Sequence, residues 1–191
     1  MALKLFRTTG YSSLLAAGED RVAMHPRWII AAVSAWAGIA CNVALWRALS
    51  ASALDTAGIG QALVLGVVIA GATTLVLSML GWRRTIKLAA TLALVVAALA
   101  ACSIWVQALP MDASLLDKRP QGLLLPPWAS LLGWQVPLLL AALAVPPVVW
   151  VWHSRLRRLS PGQQLSVTVL GSFLGLAMLT AGGFALAQGL V

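Results

Sequence analysis

Apolar residues in this chain come in long, nearly unbroken runs, and polar residues gather in the short stretches between them. Five runs stand out, at about residues 28–46, 59–82, 88–109, 128–152 and 165–187. The first, Trp28–Trp46, has 19 residues. At about 1.5 Å per residue such a helix crosses a hydrocarbon layer of about 30 Å with little tilt. Trp28 and Trp46 stand at its two ends, where amphipathic rings prefer the headgroup level. The pattern predicts an all-α membrane protein of five transmembrane helices.

Several positions modify these helices. Thr73, Thr74 and Ser78 in the second run can bond back to their own helix. Gly133, Pro137 and the pair Pro146–Pro147 interrupt the fourth run, and the paired prolines predict a kink near residues 143–146. Gly171 and Gly175 have the spacing that lets a neighbouring helix approach closely, and ordinary packing within the chain accounts for them. Between the third and fourth runs lies the longest internal polar stretch, Pro110–Pro127. There Asp112 can cap a short interfacial helix, ASLLDK, which Pro120 and Gly122 end.

Composition fixes the environment. Only 9% of residues are charged, against about 25% in a soluble domain. The net charge of +8 does not point to nucleic acid, because the basic residues sit at the ends of apolar runs and not along one face. Lys4, Arg7, Arg21, Arg27, Arg83, Arg84, Lys87, Arg155, Arg157 and Arg158 fall on one side, and Arg47, Lys118 and Arg119 on the other. The positive-inside rule then puts the N-terminus in the cytoplasm, with residues 1–27 as a cytoplasmic tail and either Met1 or Met24 as the start. Five crossings put the C-terminus and Pro110–Pro127 outside.

No charged residue lies inside a run, which disfavours a proton-coupled transporter or pump. Cys41 and Cys102 lie in apolar runs, with no metal-binding spacing, and His25 and His153 border runs on the basic side. No catalytic triad, carboxylate pair or phosphate loop can be assembled, so no catalytic residues and no metal ligands are assigned.

The order of elements resembles the membrane domain of the lipid A phosphoethanolamine transferases, the group that includes the mobile colistin-resistance enzymes. The likeness covers residues 28–191. It rests on a first helix with a late Asn (ACNVALW, Asn42), a basic turn RRTIK before a Leu-rich third helix, an outer D-x-x-(L/M)-L segment (Asp112, Leu115, Leu116), and a basic turn RLRR before the fifth span. The resemblance implies a multi-pass protein of the bacterial inner membrane. In the family, five helices anchor a periplasmic domain with a threonine nucleophile and zinc, which transfers phosphoethanolamine from phosphatidylethanolamine to lipid A and confers polymyxin resistance. It carries over Asn42 and Asp112 as substrate-binding candidates. The family's outer segment continues with Asn, Thr and Glu, where this chain has Lys118, Gly122 and Pro126. Residues 1–191 hold neither the nucleophile nor the zinc ligands, and the sequence stops where the family's linker would begin. The expectation is a membrane-anchor domain inactive by itself, with membrane lipids such as phosphatidylethanolamine and a separately encoded periplasmic catalytic domain as partners. The alternative is a membrane scaffold or accessory subunit that binds lipid or another membrane protein.

Overall fold

The computed structural model describes residues 24–51, 56–80, 85–107, 127–156 and 160–188. Of these, 87% are helical, and they include no strand. The helices are α1 (Pro26–Ile39), α2 (Val43–Ser50), α3 (Thr56–Leu80), α4 (Ile86–Val106), α5 (Trp128–Leu131), α6 (Gln135–His153) and α7 (Pro161–Ala187). Four are long and apolar enough to cross a membrane; there are five spans if the bent pair α1–α2 counts as one.

That bend divides the run 28–46, expected as one helix, into two. The α1 and α2 axes meet at 47°. Asn42 causes the break: its backbone is extended and its side-chain oxygen accepts from the Leu45 amide, so it caps a new helix. The carbonyl left over at Ala40 accepts the Trp46 indole N–H at 3.1 Å. Trp46 therefore closes the bend as well as marking the end of a run.

The expected fourth span is also divided. Leu132, Gly133 and Trp134 separate α5 from α6. The helix then runs continuously through Pro146 and Pro147 to His153. The fifth helix starts four residues earlier than the apolar run, because Ser160 and Gln163 form a reciprocal capping box and Pro161 occupies the first turn.

The central helix is α3. It packs most extensively on α7, next on α1, and also touches α2 and α4, while α4 packs on α6. Lipid supplies no hydrophobic drive for association, so close contact between small residues has to hold the helices together. A Cβ added at Gly38 would stand 2.6 Å from the Gly66 carbonyl oxygen, and one at Gly66 would stand 2.6 Å from that of Gly38. Backbones of α1 and α3 thus touch directly at that crossing. On the other side of α3, a Cβ at Gly175 would meet the Leu75 amide at 2.7 Å and the Gly71 carbonyl at 2.9 Å, and one at Gly171 would collide with Ser78. The GxxxG pair faces a helix of its own chain.

At one end of the bundle, Ile29, Ile30 and Val33 pack with Leu77, Ile86, Leu94 and Val151. We call this the basic end, since it gathers the starts of α1 and α4 and the end of α6. The outward surface stays apolar: Leu170 and Phe173 of α7 are 73% and 72% exposed. Such a surface suits a bilayer better than water. All five carboxylate side chains (Glu19, Asp20, Asp55, Asp112, Asp117) lie outside the described residues.

A tryptophan-lined cleft as candidate functional site

At the end opposite the basic one, α1–α2, α4 and α5–α6 do not close on each other. They leave an open cleft of about 1180 Å³. Trp36, Ala40, Val43, Trp46 and Ser50 form one wall; Ala101, Trp105 and Val106 of α4 form the back. The other wall comes from Ser130, Gly133, Trp134 and Gln135, followed by Val136, Leu138, Leu139, Ala142 and Leu143. The 47° bend after Ile39 and the break at 132–134 shape the two walls. Apart from Ser50, Ser130, Gln135 and the indoles, the lining side chains are aliphatic. The volume lies above the range of about 300–1,000 Å³ usual for small-molecule sites, so the cleft suits an elongated apolar guest.

One interaction ties the walls together. The Trp36 indole N–H donates to the Leu143 carbonyl at 3.0 Å, across 107 residues of chain. In a regular helix that carbonyl takes its bond from the amide four residues on, with the amide three on as a substitute. Here those residues are Pro147 and Pro146, and neither has an N–H. Trp36 therefore supplies the donor that the paired prolines removed. This also explains how a polar indole N–H is accommodated in the middle of an apolar run.

Beside the cleft, Arg47 of α2 donates from Nη2 to the Ile104 carbonyl of α4 at 2.9 Å. Ser103 is fully buried and accepts from Gln107 Nε2 at 2.8 Å. Cys41 and Cys102 are free buried thiols, and Cys41 packs with Ala101 in a small apolar cluster.

Of the two substrate-binding candidates, Asn42 sits directly behind the cleft. It is 1% exposed. Its Nδ2 donates to the Ala62 carbonyl of α3 at 2.7 Å, away from Ala40 and Val43, which line the cleft. Its oxygen is engaged by Leu45. Asn42 thus joins the α1–α2 bend to α3 and shapes the cleft wall. Asp112, with the expected interfacial helix, lies outside the described residues, as do Arg83 and Arg84 of RRTIK.

His25 caps α1, its Nδ1 accepting from the Arg27 amide at 3.3 Å, and His153 Nδ1 lies 3.0 Å from the Val149 carbonyl in the last turn of α6. Among the described residues no three His, Cys, Asp or Glu side chains come together in a metal-binding group.

The residues that the sequence reading did not pick out are Trp36, Trp105 and Trp134. A signal for Trp36 existed: an indole donor in mid-run needs an acceptor, and a Pro–Pro pair frees one. Nothing local in the sequence pairs the two. No protein-family model, curated protein or solved structure matches the chain.

Proposed function

We propose that this chain is a lipid-holding domain of a bacterial inner membrane, N-terminus cytoplasmic, whose tryptophan-lined cleft takes the acyl tails of a phospholipid from the outer leaflet. The cleft carries the reading. It is apolar in depth, has hydroxyl, amide and indole groups in its walls, and is larger than a compact metabolite needs. Tryptophans suit such a boundary because the ring body is apolar and the N–H is polar. The unequal distribution of basic residues between the two ends supports the orientation.

In this reading the chain serves a phosphoethanolamine transferase as its membrane domain. It presents phosphatidylethanolamine to a separately encoded periplasmic domain that performs the transfer on lipid A. The order of helices, basic turns and outer segment that resembles that family supports this assignment. The described side chains would hold and orient tails and exclude water; none is given a proton or a nucleophile to handle.

The test is the lipid carried through purification. Wild type extracted in mild detergent should retain phospholipid, measured by mass spectrometry of the intact complex. Ala142→Trp adds an indole to the cleft wall and should lower the retained lipid severalfold while helix content stays unchanged. Equal lipid content in the two proteins would refute the reading.

A further inference from the structure

A separate set of contacts gathers at the basic end, away from the cleft. Three chain segments converge there. The Met24 amide donates to the Arg155 carbonyl at 2.8 Å, which ties the entry to α1 to the segment after α6. Lys87, in the first turn of α4, donates from Nζ to the Trp152 carbonyl at 3.1 Å. Its ammonium also stands 5.9 Å from the centroid of the Trp152 ring, and that ring is fixed in turn by its N–H on Thr91 Oγ1 at 3.1 Å. Arg27 stands 6.0 Å from the Trp28 ring centroid. Arg27, Lys87 and Arg155 thus come to one end from three separate parts of the chain, with the helix starts of α1 and α4 beside them.

The chemistry of this end points to an anion at headgroup depth. Trp28 and Trp152 are 59% and 52% exposed, as rings of an interfacial belt are. The cations beside them therefore lie at the level of lipid phosphates. The α1 and α4 N-termini add partial positive charge, and neither has an acidic residue in its first turn. Lys87 commits one of its three N–H donors to Trp152, which orients the others.

We propose that Arg27, Lys87 and Arg155 bind the phosphate of an anionic phospholipid such as phosphatidylglycerol, against the Trp28 and Trp152 rings. The site distinguishes lipids by headgroup charge, and it lies at the end of the bundle opposite the cleft.

The experiment titrates purified full-length protein in neutral detergent with phosphatidylglycerol or phosphatidylcholine, counting adducts by native mass spectrometry. Phosphatidylglycerol should bind in clear preference, and added salt should erode that preference. Lys87→Gln with Arg155→Gln removes two charges worth about fivefold each, so the preference should fall by up to about 25-fold. Lys87→Arg with Arg155→Lys keeps both charges and should retain it. Equal binding of the two lipids by wild type, or a salt-independent preference, overturns the proposal without any variant. Inorganic phosphate competing as well as the lipid would overturn the assignment to a lipid headgroup.

Discussion

Trp36→Phe, combined with Pro147→Ala, tests the link between the cleft walls. The single Trp36→Phe change leaves the Leu143 carbonyl without a donor, since Pro146 and Pro147 offer none. A fully buried carbonyl left unsatisfied costs about 1–3 kcal/mol, and this bond is part-buried, which favours the lower part of that range. Hydrogen bonds between membrane helices average about 0.6 and reach about 1.7 kcal/mol. With a smaller ring that packs less well, the expected loss is about 1.5–2.5 kcal/mol. Pro147→Ala restores an amide four residues after Leu143. In that background the carbonyl no longer needs the indole, and Trp36→Phe should cost only the packing part, about 0.5–1 kcal/mol. The double-mutant cycle should therefore show a coupling of about 1 kcal/mol. The assay is unfolding in mixed lipid–detergent micelles on addition of SDS, followed by far-UV circular dichroism. Strictly additive losses would refute the claim that the indole replaces the missing helix donor.

Three further outcomes follow from the packing and the proposed role. Asn42→Ala removes both the α2 cap and the bond to Ala62, and should destabilise the fold by about 1.5–3 kcal/mol in the same unfolding assay. Gly175→Leu places side-chain carbons where the Leu75 amide and the Gly71 carbonyl already sit. It should loosen α7 from α3, seen as faster proteolysis after the α6–α7 connection, and should leave the molecular mass in detergent unchanged. A fall from dimer to monomer would instead assign the GxxxG pair to an interface between copies. Expressed alone in a strain without other transferases, the chain should leave lipid A unmodified, and a phosphoethanolamine adduct in the lipid A mass spectrum would contradict the proposed division of labour.

Long apolar runs were enough to read the helices, because a span must satisfy its own backbone and that demand leaves a length signature. Their interruptions were harder to read. Asn42 stood in plain view and its cap on the Leu45 amide is local, yet its bond to the Ala62 carbonyl is twenty residues away, and a run of apolar residues around it looks like one helix. The Ser160–Gln163 capping box was a local signal and could have set the start of α7. Paired prolines at 146–147 mark a place where the helix loses donors, but they do not say that the helix stays unbroken to His153 or that Trp36 satisfies the freed carbonyl. The cleft was least legible. Its walls come from residues 36–50, 101–106 and 130–143, and composition cannot show that these segments stop short of one another.

Photo-crosslinking most directly tests whether the cleft holds lipid tails. The protein would be placed in nanodiscs containing phosphatidylethanolamine with a photoreactive group at the tail end, irradiated, and mapped by peptide mass spectrometry. Adducts should concentrate on Ala101, Val136, Leu139 and Leu143, which line the cleft, above the background on the outward residues Leu170, Phe173 and Leu174 of α7. Labelling confined to α7 and the rest of the outer surface, with the cleft residues unmodified, would contradict the account.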